Sequence, residues 1–516
     1  MALARIENFG GIQPRVHPSL LQNGMAVRAH NVKLKNGKLV PLRMPSVASG
    51  VGIMLENGLE DVADAYTMHA WKRADGDPDL VLFGGQTWMA PGNIADDSKT
   101  RVVVSGPGVA GGEPTIYMRD GARIVRLPMC KDPLSAPLVS RNGGPLEKFD
   151  AITMKGYLTC AEIDAIADAE KGDVYYSKDA GQIGSGSSAI HTTVNSQVVW
   201  LGDAWGFYDS SAFANIRYTY FFSTWVDAYG YESPVSEPSG EISYNDGDTM
   251  TVNVGALPDG ADKVRIYKVV TGTQEGRIQF VKEVDARDAS TPFAVSVKDE
   301  DAGEVISVVT SPPRDLRCVL DVPGGFYCGF SPSSPKTVMF SEVGLMYSWP
   351  DEYRYDVGDN VVALAVTSNM VFALTDGWPY VLSGTSPGGM SATKLAGPAA
   401  CVSERSVCVF QNAVYYASSE GLMTIRNSAD SGTVCANLTD KIYTKDQWLA
   451  KNPSSCICGQ HDGALYLFFT HENGAHEGLR IDLTESAAAV TTHDEVAKCL
   501  CVDNKHDDMY FVREGV

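Results

Sequence analysis

Residues 413–425, AVYYASSEGLMTI, and residues 464–475, ALYLFFTHENGA, carry the pattern on which the fold turns. In each, an aromatic-rich strand runs into a polar turn with Glu or Asn beside Gly, and a second strand follows. Such a unit is a hairpin. The aromatic strand packs between sheets, and the Gly supplies the positive φ that a tight turn needs. The unit recurs at 115–127 (TIYMRDGARIVRL), 174–182 (VYYSKDAGQ), 338–347 (VMFSEVGLMY), 370–382 (MVFALTDGWPYVL) and 508–516 (DMYFVREGV). Gly344, Gly377, Gly421, Gly474 and Gly515 follow one another at intervals of 33, 44, 53 and 41 residues. These scatter around the roughly 40–50 residues of a four-stranded propeller blade. The expectation is an all-β chain built on a β-propeller.

Outward from these hairpins the patterning changes twice. From 213 to 311, short strands separated by Asp246-Gly247-Asp248, Leu257-Pro258-Asp259-Gly260 and Thr271-Gly272-Thr273 predict a small β-sandwich inserted into the propeller. Pro312-Pro313 is its exit linker. At the other end, the stretch up to about residue 50 reads as an arm, with Asn36-Gly37 between Val32, Leu34 and Leu39, Val40 marking a hairpin. The arm is basic (Arg5, Arg15, Arg28, Lys33, Lys35, Lys38, Arg43), which suits either an edge meeting an acidic partner subunit or a solvated hairpin. Helix is scarce. One is predicted over 158–172, with Thr159 as N-cap, Glu162 three residues on and Gly172 closing it, and a short one over 440–451. The segmentation is therefore arm and hairpin 1–50, first propeller part 51–212, sandwich 213–311 and remaining blades 312–516. The strand near Asp508–Val512 is expected to complete a blade begun near the N terminus.

Composition sets outer bounds. Of 516 residues, 44% are hydrophobic, enough for a substantial core, and only 20% are charged, which argues against a coiled coil. Fifty Gly and 26 Pro, with 22 Tyr and 17 Phe, lean toward strands and tight turns. The 42 Lys and Arg against 63 Asp and Glu leave a net charge of −21. That balance argues against wrapping duplex DNA by neutralising phosphates, though DNA can slide past an acidic wall without sticking. No run reaches about 18 apolar residues, so no membrane span is predicted. The start lacks the apolar core of a secretory signal, and eleven Cys without a small-domain disulfide framework suit a reducing cytoplasm.

Several chemistries are conceivable from the residues. Cys456-Ile457-Cys458 and Cys499-Leu500-Cys501, with His461, His471, His476 and His493 between them, would allow a four-thiolate zinc site, because C-x-C puts both sulfurs on one strand face. Packed thiols are the alternative, and Cys401, Cys408 and Cys435 read the same way. Gly184–Ser188 lacks the strand–turn–helix frame of a nucleophile elbow, and the Gly-rich run 105–112 has no phosphate-loop Lys. Asp351 with Glu352, and Asp299, Glu300 and Asp301, are candidate carboxylate pairs for sugar cleavage, but strand neighbours point to opposite faces. Ser177–Gly181 and Ser428–Thr433 match part of a propeller Asp-box turn without its Trp. The expectation is no enzyme, with no catalytic, cofactor or metal residues and no cofactor.

The order of certain motifs is more specific than any one of them. The opening F-G-G-I-x-P, with L-L, G-x-A-x-x-A-x-N-V and G-x-L-x-P after it (residues 9–41), resembles the start of tail proteins of short-tailed bacteriophages. Tyr218–Phe221, Asp227–Pro234, Ser236–Ser239 and Arg265–Lys268 resemble the fibronectin-type-III-like, immunoglobulin-like insert of those proteins. Phe340-Ser341-Glu342, Trp349-Pro350, Thr375-Asp376-Gly377, Cys401–Ser406 and Tyr416–Leu422 continue the likeness. The chain thus resembles the podovirus tail nozzle family, also called tail tubular protein B. That resemblance implies a structural subunit of the virion tail, assembled in the host cytoplasm. It implies a homo-oligomeric ring, expected as a hexamer, that extends the DNA ejection channel and gates it. Its partners would be the tail adaptor, fibres or spikes, and double-stranded DNA passing without sequence-specific binding. The Gly-rich stretches 105–112 and 184–188 are the candidate gating loops. The alternative reading is a tail-associated propeller that binds or cleaves carbohydrate.

Overall fold

A computed structural model describes residues 9–513, apart from 36, 49–51, 56–59, 72–79, 85–87, 92–100, 106–112, 121–122, 143–151, 209–215, 271–276, 297, 369, 398, 429–431, 484–488 and 504–506. The turn glycines Gly121 and Gly515, the loop 106–112, the separator 271–273, Arg5, Asn36 and the middle of the 428–433 turn lie outside the described residues. The chain divides into two compact units, residues 1–131 with 310–516, and residues 132–309.

The first unit is a β-propeller. Among the described residues it has seven blades, each running from its inner strand outward. Blade 1 is Thr67–Trp71, Leu80–Gly84 and Gly52–Leu55; blade 2 is Trp88–Pro91, Arg101–Ser105, Thr115–Asp120 and Arg123–Pro128. Blade 3 is Arg317–Val322, Phe326–Ser331, Ser334–Phe340 and Arg354–Asp356; blade 4 is Val361–Val366, Met370–Thr375, Tyr380–Ser383 and Ser391–Lys394. Blade 5 is Cys408–Phe410, Ala413–Ser418, Gly421–Ser428 and Gly432–Asn437; blade 6 is Ile457–His461, Ala464–Thr470, His476–Asp482 and Ala489–His493. Blade 7 is Cys499–Asp503 with Asp508–Val512. The seven inner strands lie side by side in a closed circuit, blade 7 against blade 1 and blade 2 against blade 3.

The aromatic doublets follow from this arrangement. A sheet packed on both faces needs apolar residues at consecutive positions. Tyr415 faces the core shared by blades 5 and 6, while its neighbour Tyr416 faces the core shared by blades 4 and 5. Leu465, Leu467 and Phe469 likewise face blade 5, while Tyr466 and Phe468 face blade 7. Each fully buried aromatic ring of this kind stabilises by about 1.5–3 kcal/mol. The turn at Gly474 has the positive φ expected of it, +79°. Gly377 does not. Its glycine is required by close approach, since a Cβ there would lie 2.7 Å from Cγ of Asp359.

The arm is fastened to the propeller. Ile12 and Ala29 are buried in the core between blades 5 and 6, and Ala29–Asn31 bonds to Thr492 on the outer strand of blade 6. Gly11, at φ +105°, passes so close that a Cβ would meet the Val490 amide nitrogen at 2.8 Å. Lys33 binds Asp462 at 2.5 Å and Arg15 donates to the Asp440 carbonyl, so these two basic residues are spent within the chain. The hairpin Val32–Lys35 with Lys38–Pro41 forms as the Asn-Gly signal predicts. The strand Asp508–Val512 pairs with Cys499–Asp503, and among the described residues no N-terminal strand joins it. The N-terminal contribution is instead Gly52–Leu55, the outer strand of blade 1, added parallel to Leu80–Gly84.

The second unit contains the inserted β-sandwich. One sheet is Leu138–Arg141, Thr249–Asn253 and Phe293–Ser296; the other is Phe221–Asp227, Ala261–Val270 and Arg277–Asp285. Phe221, Trp225, Val264 and Ile266 of the second sheet bury against Met250, Val252 and Val295 of the first. Because Leu138–Arg141 supplies an edge to Thr249–Asn253, this unit starts at Asp132, well before 213. It also holds a four-stranded sheet, Thr153–Leu158, Asp173–Ser177, Gln197–Trp200 and Trp205–Phe207. The expected hairpin at 174–182 is therefore not a blade hairpin: Asp173–Ser177 pairs with strands on either side and not with Gly181–Ile183. The helix predicted over 158–172 is one turn, Cys160–Asp164. Its Thr159–Glu162 capping box is as expected, but it stops where the Asp164 carboxylate turns to cap the Gly184 amide at 2.7 Å. The second helix, Lys445–Leu449, has the same box from Thr444 and Gln447.

Candidate functional site

The inner strands of the blades run in one direction, so their first residues gather at one end of the propeller axis. Tyr66 precedes the inner strand of blade 1, Arg317 opens that of blade 3, Glu404 and Arg405 lie in the turn leading into that of blade 5, and Lys498 precedes that of blade 7. Side chains from the starts of blades 1, 5 and 7 touch, although blade 5 neighbours neither of the other two in the circuit. The Tyr66 hydroxyl donates to Glu404 Oε1 at 3.1 Å. The Arg405 guanidinium stacks 4.3 Å from the centre of the Tyr66 ring and donates to the Lys498 carbonyl. Lys498 Nζ in turn donates to the Ala63 carbonyl. Contacts between opposed blades place this cluster across the mouth of the axis.

Local structure holds each member in place. The turn Glu404–Ser406 is pinned by two buried serines. Ser403 Oγ donates to the Cys456 carbonyl at 2.7 Å, and Ser406 Oγ accepts from the Ala417 amide at 2.9 Å. Tyr66 follows a turn, Val62–Asp64, capped by Asp61 on the Ala63 amide. Arg317 sits beside a β-bulge: the register of blade 3 slips between Arg317 and Leu320, and Cys318 takes φ +52°. Bulges of this kind re-aim a neighbouring side chain. Cys318 Sγ also accepts the Leu364 amide hydrogen at 3.3 Å, tying the bulge to blade 4. Burial, with the Glu404 carboxylate beside it, pushes the Tyr66 phenol above its ordinary value, against the pull of Arg405 and Arg317. Arg317 Nε is buried and has no hydrogen-bond partner among the described residues.

None of these residues stands out in the sequence as a site residue. Their one shared property, a place just before or at the start of an inner strand, has meaning only once strand order is known. The sequence candidates go elsewhere. Cys456 and Cys458 face the core between blades 5 and 6, whereas Cys499 and Cys501 face the core between blades 7 and 1, so the two pairs do not form a common site. Burial pushes the thiols of Cys318 and Cys401 up to about 12 and that of Cys499 up to about 11. All eleven thiols are free, and all but Cys435 are buried. His461 and His471 bond to loop carbonyls, His476 is exposed, and His493 is buried against Gly478. Among the described residues no group of His, Cys, Asp and Glu is arranged to hold a metal ion.

The carboxylate pairs also separate. Asp351 is bound by Arg354 at 2.5 Å on an exposed turn. Asp299 is held by buried Lys268 at 2.5 Å and by Tyr244 at 3.0 Å, while Glu300 and Asp301 face solvent. Of the two Asp-box-like turns, Ser177–Gly181 lies in the second unit, where Asp179 accepts the Cys160 amide at 2.7 Å. Gly186–Ser188 is a short turn in that unit as well.

No protein-family model and no curated protein matches the chain. Among solved structures it is similar to a 6-phosphogluconolactonase-like protein from Bacteroides uniformis, at 9% identity over 53% of this chain and 95% of that one, with a TM-score of 0.26. It is similar also to AztD from Citrobacter koseri (13% identity, 58% of this chain, 76% of that one, TM-score 0.26). Hsv2 from Kluyveromyces lactis is a third (9% identity, 46% of this chain, 57% of that one, TM-score 0.23). Likenesses at these scores carry no inference about function. Among the described residues no helix is long and apolar enough to cross a membrane.

Proposed function

We propose that the chain is a structural subunit of a short-tailed phage nozzle, working by assembly and geometry and not by catalysis. The observation that carries the reading is the order of parts. An N-terminal arm is fastened to a propeller whose circuit is interrupted once, between blades 2 and 3, by a separately cored unit containing a β-sandwich. The nozzle-like motifs fall along the chain in that same order. Copies would pack side by side through a heterologous contact, and closure of the ring would set their number, expected as six. Leu138, Tyr157 and Phe207, large apolar side chains exposed on the second unit, are surface that such contacts would cover. The net charge of −21 suits a lumen that a duplex traverses without adhering. In this reading the ring carries fibres or spikes, docks on the tail adaptor and gates the channel.

Electron microscopy of the purified full chain tests this. Rings of uniform copy number with a central opening are expected. A chain that stays monomeric at tens of micromolar and binds or depolymerises a host polysaccharide would overturn the proposal in favour of the carbohydrate reading.

A further inference from the structure

We propose that the axial mouth of the propeller is a binding site for a carboxylate-bearing ligand, seated on the Arg317 guanidinium and walled by the Tyr66–Arg405–Glu404 cluster. Three observations on the first unit converge on it, and none depends on the nozzle reading.

The first is the bulge. A non-glycine residue at φ +52° is uncommon, and such outliers gather where a structure needs a side chain aimed. Here the residue displaced is the one next to Arg317, at the first position of an inner strand. The second is the unmet donor. A buried guanidinium nitrogen without an acceptor is rare, and Arg317 Nε has none among the described residues. A planar guanidinium fork matches the two oxygens of a carboxylate. By contrast, Arg405 is already committed to the Tyr66 ring and the Lys498 carbonyl. The third is local charge. In a chain with an excess of 21 acidic charges, Arg405 and Lys498 meet here beside Glu404, close to the turn that carries Asp61 and Asp64, and the Arg317 charge reaches Tyr66. The cations attract an anion, and Glu404 makes the place poorer for a dianion than for a monoanion. A carboxylate therefore fits better than a phosphate. The neutral Tyr66 ring adds a wall against which a small ring could lie.

Isothermal titration calorimetry of the full chain at low salt tests the proposal, with sodium glucuronate as probe and glucose and inorganic phosphate alongside. Saturable binding of glucuronate is expected, with phosphate at least threefold weaker and glucose silent. Arg317→Gln should weaken glucuronate at least tenfold, and Glu404→Gln should tighten it severalfold by removing a like charge. N-acetylglutamate amide as a second probe separates the sources: tighter binding than glucuronate identifies a protein side chain as the natural carboxylate, and weaker binding a sugar acid. No saturable heat with either carboxylate, equal binding of glucose, or unchanged affinity in Arg317→Gln would each overturn the proposal. If Arg317→Gln does not fold, the wild-type titrations and Glu404→Gln still decide it, because a merely structural cluster predicts no binding and no gain.

Discussion

Substituting Gly478 by alanine should expose how tightly blade 6 is closed at its outer edge. Gly478 lies opposite His493 across the third and fourth strands, and the His493 ring covers it. A Cβ on residue 478 would stand 2.0 Å from Cε1, 2.1 Å from Nδ1 and 2.5 Å from Nε2 of that ring. Atoms in real contact stand about 3.5–4 Å apart, so the ring must leave. It is 1% exposed and packs 5.7 Å from the Tyr466 ring centre and 5.2 Å from that of Phe468. Each such ring contact contributes about 0.5–1.5 kcal/mol, and forced repacking of a filled core costs about 1–3 kcal/mol. Gly478→Ala should therefore destabilise by about 2–4 kcal/mol, read as a lowered urea midpoint. Gly478 is not in the left-handed region, so backbone strain contributes nothing to this figure. The same change in a His493→Ala background should cost under about 1 kcal/mol, because the obstructing ring is gone. An equal cost in both backgrounds, or a cost below about 0.5 kcal/mol in the wild type, would refute the steric argument.

Acid should weaken the fold through the same residue. Burial pulls the His493 imidazole down to about 4, so the folded state resists a proton that the unfolded chain accepts near 6.5. Stability is thus retained above about pH 6.5 and falls by about 3 kcal/mol as pH drops toward 4. His69 is likewise pulled down to about 4 by burial, so His493→Gln should make that part of the pH profile shallower without abolishing it, and an unchanged profile would count against the argument. In the second unit, Lys268 is fully buried between Asp299 and the Tyr244 ring. Lys268→Met should cost about 3 kcal/mol, since removing one partner leaves a partly buried carboxylate to Arg217 and Tyr244 alone. A chemical-denaturation midpoint equal to the wild type would contradict this. A thiol reagent applied to the native chain should label Cys435 alone at a measurable rate, with the other ten reacting only in urea. Rapid labelling of three or more thiols would show that the inter-blade cores are open.

Legibility from sequence follows the range of the interactions concerned. The hairpins 370–382, 413–425 and 464–475 are readable because strand alternation and turn chemistry are local, and their strands pair as expected. The capping boxes at Thr159 and Thr444 are readable for the same reason, although the first helix ends at Asp164, whose carboxylate binds the Gly184 amide twenty residues away, a contact no local pattern records. The 174–182 stretch has the same local pattern as the blade hairpins yet lies in another unit, because pairing partners are chosen by the rest of the fold. The role of Gly377 is hidden from the sequence likewise: close approach by Asp359, and not a positive φ, requires it, and that is a tertiary fact.

By itself, then, the sequence determined an all-β chain with aromatic strands buried on both faces, an inserted sandwich and a basic arm. Strand periodicity, turn residues and composition act over a few positions and leave their marks in order along the chain. Only the tertiary structure decided that seven inner strands close a circuit and that the two Cys-x-Cys pairs face different cores. It alone brings Tyr66, Arg317, Glu404, Arg405 and Lys498, drawn from positions 66 to 498, to one mouth. Ring closure brings together residues whose separation along the chain bears no relation to their distance in space, and no local pattern records that.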